Sequence, residues 1–272
     1  MQGLHDFIPT NVKAEYINSL LKVGFDTIDF GSFVSPKAIP QMKDTAQVLS
    51  KLDLSQTKTK LLAIVANLRG ADDALKFDEI AFLGYPFSIS ETFQQRNTNA
   101  SIEESLQRVS EIQGKCLKHG KQLMIYISMG FGNPYGDPWN VDICQEWVDQ
   151  LAAMNIKHLA LSDTIGVATP ESIAYLFKNL IPPHPDVEFG AHLHTRHDNW
   201  KPKVHAAYSN GCYRFDGALK GYGGCPMAKD DLTGNMPTEY LIDYFNHYNV
   251  DHGLDELAFK KCLRESEKVF PQ

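Results

Sequence analysis

No stretch of this chain approaches the roughly 20 apolar residues that a membrane helix requires, and no signal-like apolar run opens it. The expectation is a cytoplasmic protein with no membrane partner. Cysteine is scarce: Cys116, Cys144, Cys212, Cys225 and Cys262 are odd in number, scattered, and never form a CxxC pair. That spacing argues against a disulfide scaffold or a zinc ribbon and for a reducing compartment. Cations are also in deficit, with 26 Lys and Arg against 33 Asp and Glu and a net charge of -7. A nucleic-acid partner is therefore not expected, because phosphate binding needs many cations on one face, and an anionic substrate has to be met locally. Neither GxGxxG nor GxxxxGK[ST] occurs, so nucleotide folds of those types lose support. No low-complexity segment, Gly/Ser/Pro linker or repeat beyond the βα unit interrupts the chain.

What is present is a regular alternation. The 272 residues are 43% hydrophobic and 22% charged, enough for a sizeable core, and one domain over residues 1–272 is the simplest account. Short apolar runs predict strands near Thr27 to Phe30, Leu61 to Ala66, Glu79 to Phe82, Leu123 to Ile127, His158 to Leu161, Glu188 to His192 and Arg214 to Ala218. Segments of helical period lie between them, among them "NVKAEYINSLLKVG", "SIEESLQRVSEIQGKCLKHG", "NVDICQEWVDQLAAMN" and "TPESIAYLFKNL". Ser101 with Glu104 fits a capping box, and Thr169 before Pro170 fits an N-cap with proline in the first turn. The class is α/β with a parallel sheet. Seven strands are one short of a closed barrel, and the place for the missing first strand is before residue 1, because "MQGLHDFIPT" reads as a loop into the first helix.

In a βα barrel the reactive groups gather at the C-terminal ends of strands. Asp29, Ser32, Asp163, Thr164, His192, His194 and Asp216 all fall there. In "GAHLHTR", His192 and His194 share a face by the period of two, and Gly190 leaves room beneath them. Two neutral imidazoles so placed can donate to one divalent ion, with an oxygen-rich remainder favouring Mg, Mn or Zn over copper. The alternative is a packing or catalytic histidine beside an exposed neighbour. "GYGGCPMA" sets glycines before Cys225, a loop able to carry a thiol over a site, although a free cysteine is most often a small buried hydrophobe. Asn235 in "LTGNMPTE" fits a turn, a helix cap or a carbonyl-oxygen ligand equally well.

The blocks "SFVSPKAIPQM" (32–42), "NTNASIEES" (97–105), "SDTIGVATP" (162–170), "HLH" (192–194), "GGCP" around Cys225 and "GNMPTE" (234–239) together resemble the 3-hydroxy-3-methylglutaryl-CoA lyase family, in that family's order and over nearly the whole chain. The resemblance implies a (β/α)8 TIM barrel with a divalent cation, Mg or Mn, that cleaves 3-hydroxy-3-methylglutaryl-CoA to acetyl-CoA and acetoacetate. It implies His192, His194 and Asn235 as metal ligands, and His192, Cys225 and Asp163 as catalytic residues. Asp29 and Ser32 become substrate-binding residues, the partner an acyl-CoA, and the assembly a homodimer or other homo-oligomer. The basic residues Lys37, Arg96 and Lys220 lie in loops suited to the CoA phosphates.

Departures from the family pattern are specific. Met124 stands where the resemblance expects an arginine, Met129 where it expects a cysteine, Thr195 where it expects an aspartate, and Asp29 where it expects a glutamate. The family's Arg-Asp pair would precede Met1, so the expectation is an N-terminally truncated barrel whose Met1 is internal to a longer natural protein. A related aldolase or acyl-transfer synthase, and a catalytically silent binding protein, are the alternative functions.

Overall fold

The structure, a computed structural model, describes residues 1, 4, 6–223 and 233–270. These fall into two compact units, one of Met1–Leu83 with Phe245–Gln272 and the other of Gly84–Tyr244.

The first unit begins with helix α1 (Thr10–Leu20) and strand β1 (Thr27–Ser32), followed by a single 3-10 turn at Pro40–Met42 and helix α2 (Thr45–Leu49). Strand β2 (Lys60–Ile64), helix α3 (Leu68–Ala74) and the start of β3 (Ile80–Ser88) complete its first part. β1 and β2 are parallel, with a bulge between Asp29 and Gly31 that shifts the register before Ser32. Helix α2 lies so close that a Cβ on Gly31 would come within 2.7 Å of Thr45 Cγ2. The Thr45 hydroxyl accepts the Ser32 N–H at 3.2 Å and donates to the Met42 carbonyl at 2.8 Å, so the strand end is held from the helix side.

The "PQM" block has a structural role here. Gln41 is 2% exposed; its amide nitrogen donates to the carbonyls of Leu4 and Asp6, and its amide oxygen accepts the Ile8 N–H at 3.1 Å. It therefore ties the segment before α1 to the 3-10 turn. Lys13 of α1 donates to the Gln41 carbonyl and to Asp44 Oδ1 at 2.7 Å, and Thr10 donates to Asp44 Oδ2 at 2.8 Å. The Lys13–Asp44 pair is almost fully buried.

The second unit continues β3 and adds α4 (Glu91–Thr98), α5 (Ile102–Lys118), β4 (Gln122–Ser128) and α6 (Val141–Ala153). It then alternates through β5 (His158–Asp163), α7 (Pro170–Leu180), β6 (Glu188–Leu193), α8 (Trp200–Tyr208), β7 (Arg214–Phe215) and most of α9 (Thr238–His247). Helix α10 (Glu256–Val269) returns to the first unit against α1, where Tyr16 meets Phe270 edge-on at 5.9 Å. Strand order follows chain order from β1 to β7, and β4, β5, β6 and β7 pair in parallel. Each βα connection thus leaves its loop at the C-terminal ends of the strands.

The cap signals act as expected: Ser101 and Glu104 form a capping box on α5, and Thr169 caps α7 with Pro170 in its first turn. All seven expected strands are present among the described residues. β3 runs on to Ser88 past Gly84 and Pro86, because Tyr85 and Phe87 bury completely; burial outweighs the local break signal. β7 stops at Phe215, and the chain turns away through Gly217, where a Cβ would meet the Thr238 hydroxyl at 2.9 Å.

The buried ion pair of the first unit gives a direct test. Lys13→Met leaves the Asp44 carboxylate uncompensated, and urea unfolding is expected to show a loss of about 3 kcal/mol. A loss below about 1 kcal/mol contradicts a structural role for the pair.

Candidate active site

β6 carries the site. It pairs along its length with β5, from His158 with Glu188 to Asp163 with Leu193, so His192 and the residue just past the strand, His194, stand at the C-terminal ends of the parallel strands. Their rings are 5.7 Å apart, centroid to centroid, at 49°. The shared face expected from the sequence is therefore present.

The two imidazoles are held differently. His192 is partly open, with 32% of its side chain exposed; its Nδ1 lies 3.1 Å from Asp216 Oδ2 just beyond β7, and its ring meets Tyr126 edge-on at 5.4 Å. Burial opposes charge on Asp216, but the hydrogen bond from His192 and the Arg214 guanidinium outweigh it and hold the carboxyl below the usual carboxylate range. An ionised carboxylate only accepts, so Nδ1 of His192 carries a proton, and in the neutral ring the lone pair is then on Nε2.

His194 is 3% exposed, and its Nδ1 is buried without a hydrogen-bond partner. Burial, then repulsion from the neighbouring His192 and Lys203, outweigh hydrogen bonds to the Thr233 backbone and the Asn235 side chain and push its pKa down to about 3. The ring is neutral at ordinary pH. A buried, unpartnered nitrogen is costly unless something outside the protein satisfies it.

Asn235 reaches His194 through the backbone, in an antiparallel bridge flanked by Thr195 N–H to the Gly234 carbonyl and Met236 N–H to the Leu193 carbonyl, both at 3.0 Å. Its carboxamide nitrogen donates to the Tyr222 carbonyl at 2.9 Å, so its side-chain interaction with His194 is made by the amide oxygen. Gly223, at φ +100, passes so near that a Cβ there would lie 2.7 Å from Asn235 Nδ2. The first glycine of the GGCP block, Gly223, is thus required by close approach. Among the described residues no group of three His, Cys, Asp or Glu side chains is arranged to hold a metal. An amide oxygen is the donor next to the pair. Two neutral imidazoles and an amide oxygen form a donor set that fits a divalent cation.

Asp163 sits behind the pair. It is fully buried; Oδ2 accepts from Lys203 of α8 at 2.7 Å and Oδ1 from the Ala168 N–H at 3.0 Å. Lys203 also donates to the carbonyls of Gly166 and His194, each at 3.1 Å. Asp163 therefore reaches His194 through a lysine that sequence reasoning did not single out. In the other unit, Asp29 is exposed on β1, and Ser32 is buried with its hydroxyl oxygen unpartnered. Cys225 lies outside the described residues. The four described cysteines are buried; burial pushes the thiols of Cys116, Cys144 and Cys212 up to about 12 and that of Cys262 up to about 11, so none is poised as a thiolate.

A family model described as HMGL-like matches residues 1–264. The chain belongs to the HMGL-like family. The cytoplasmic 3-hydroxy-3-methylglutaryl-CoA lyase of Rattus norvegicus is 31% identical over 257 residues, 94% of this chain and 74% of that protein. The 3-hydroxy-3-isohexenylglutaryl-CoA/hydroxy-methylglutaryl-CoA lyase of Pseudomonas aeruginosa is 32% identical over 249 residues, 89% of this chain and 80% of its own length. Among solved structures, the HMG-CoA lyase of Bacillus subtilis superposes with a TM-score of 0.92 at 27% identity, covering 100% of this chain and 91% of that one. The HMG-CoA lyase from Acinetobacter baumannii in complex with coenzyme A and 3-methylmalate gives 0.90 at 27% identity, with 98% and 87% covered. These likenesses bear out the HMGL-like family and the α/β TIM-barrel class expected from the motifs.

The neutral state of His194 has a measurable consequence. Its folded pKa lies below the unfolded value near 6.5, so the unfolded chain takes up a proton that the folded chain refuses, and stability is lost as pH falls from about 6.5 towards 3. In chelator-treated buffer, urea unfolding of wild type relative to His194→Gln is expected to lose on the order of 2 kcal/mol between pH 7 and 4.5. Parallel pH profiles contradict a buried, neutral ring.

Proposed function

We propose that this protein is a divalent-metal-dependent carbon–carbon lyase that cleaves 3-hydroxy-3-methylglutaryl-CoA, or a close hydroxyacyl-CoA, to acetyl-CoA and acetoacetate. The observation that carries this reading is the histidine pair. One ring presents an oriented Nε2, the other a buried nitrogen with no protein partner, in a chain that aligns with lyases over nearly its whole length. The coenzyme A in the Acinetobacter baumannii structure supports an acyl-CoA substrate.

In this reading His192, His194 and Asn235 hold the cation, Mg or Mn, with Zn as the further option. When bound, it polarises the substrate's hydroxyl and carbonyl oxygens. The chain's own residues supply the rest. His192 lies beside the reacting oxygens and takes part in removing the tertiary hydroxyl proton. The carbon–carbon bond then breaks, its electron pair passing to the thioester as an enolate while the hydroxyl carbon becomes the ketone of acetoacetate. Cys225, in the GGCP block, returns a proton to the enolate carbon to give acetyl-CoA. Asp163 acts through Lys203, which fixes the backbone at His194. Asp29 and Ser32 bind substrate from β1. A cytoplasmic setting and a homo-oligomer complete the proposal; the former is supported by relatives described as cytoplasmic, such as that of Rattus norvegicus, and by the absence, among the described residues, of any helix long and apolar enough to cross a membrane.

The test is acetoacetate release from 3-hydroxy-3-methylglutaryl-CoA. Activity is expected with Mg or Mn, to vanish with chelator and return on adding back the ion, and to fall more than about a hundredfold in His194→Ala. No release above a protein-free blank with either ion, or release indifferent to chelator, contradicts the proposal.

A further inference from the structure

Below His192 the face of the sheet that carries it is unusually charged. β6 and β7 are in register at Gly190 with Arg214 and Ala191 with Phe215, which sets Arg214 two residues beneath His192 and brings Asp216 to its level. The space beneath the histidines that a glycine at 190 leaves open is filled: an added Cβ there would lie 3.3 Å from Arg214 Cδ. From that position the guanidinium places Nη2 3.7 Å from Asp216 Oδ1 and Nη1 3.6 Å from Glu188 Oε2. On the β4 side Nη1 donates to the thioether of Met124 at 3.3 Å, and Tyr126 lies within electrostatic reach of the guanidinium. A neutral, polarisable sulfur brings no negative charge, so the carboxylate partners of the guanidinium are Glu188 on β6 and Asp216 just beyond β7. His158 closes the row, its Nδ1 2.9 Å from Glu188 Oε2.

We propose that Arg214 is the positioning residue for His192: by bracing Asp216 it keeps the imidazole in the Nδ1–H tautomer, turned so that Nε2 is the nitrogen offered to a cation. The proposal rests on the reading that His192 and His194 hold a divalent ion. Three observations converge on it. Asp216 has one oxygen on the His192 ring and the other towards Arg214, so the carboxylate is gripped from both sides. Arg214 is mostly buried, with 18% of its side chain exposed, so its charge acts with little screening by water. Gly190 is the residue that gives the arginine its path. Outer partners of this kind set the tautomer and orientation of a ligating histidine, and their loss costs about 10- to 100-fold in metal affinity.

Two readouts test this on the full chain. Nitrogen-15 NMR of histidine-labelled protein without added metal, assigned by the signals lost in His192→Gln, reads the tautomer, and electron paramagnetic resonance with Mn(II) reads the affinity. Wild type is expected to show His192 protonated at Nδ1. Arg214→Met, folded by circular dichroism, is expected to mix the two tautomers and to weaken Mn(II) binding about tenfold or more, and Arg214→Lys to recover most of that loss. An Nε2–H tautomer in wild type overturns the proposal without any variant. So does an Arg214→Met protein with unchanged ring signals and unchanged Mn(II) affinity. If wild type takes up no Mn(II), the cation reading fails separately, and the tautomer in Arg214→Met decides alone: retained, it overturns the role of Arg214; lost, it supports it.

Discussion

The Lys203 ammonium has three protons to give and gives all three inside the protein: to the carboxylate of Asp163 and to the carbonyls of Gly166 and His194. That single point joins the end of β5, the turn after it, the residue beyond β6 and helix α8. Burying two charges is unfavourable unless every bond is satisfied; here the ammonium and both carboxylate oxygens are satisfied. The arrangement admits essentially one geometry. A backbone so pinned keeps the His194 ring buried against its own solvation, and the unpartnered Nδ1 follows from it.

The second constraint runs along the inner row of β6 and β7. Glycine at 190 lets an arginine cross beneath the histidines, the arginine braces an aspartate, and the aspartate orients His192. His192 is therefore oriented by charge and His194 by burial. One ring is partly open and directed, the other closed and neutral, and the two are brought together by a spacing of two residues across the end of β6.

Much of this was legible in the sequence. The short apolar runs located seven strands, the cap residues located the starts of α5 and α7, and the HxH spacing put the two histidines on one face, because these signals depend on local sequence and backbone geometry. The end of β3 was not legible, since the burial of Tyr85 and Phe87 depends on distant packing. Lys203 was not legible either: in "NWKPKVHAAY" it reads as a solvated helix cation, and nothing local says that it turns inward towards Asp163. Arg214 carried a faint signal, an arginine at the start of a short strand, yet its partners are contributed by β4, β6 and the residue beyond β7, and only the register shows that. The "PQM" block was legible as a motif but not as a clasp, because the carbonyls that Gln41 binds precede α1 by position and reach it only through the fold.

The central claim is that His192 and His194 form the cation-holding half of a lyase site. Anomalous diffraction at the manganese edge from crystals grown with Mn(II) measures this most directly. The account predicts an anomalous peak within bonding distance of both imidazoles and the Asn235 amide oxygen. A fully occupied peak elsewhere, with neither histidine in contact with it, contradicts the account.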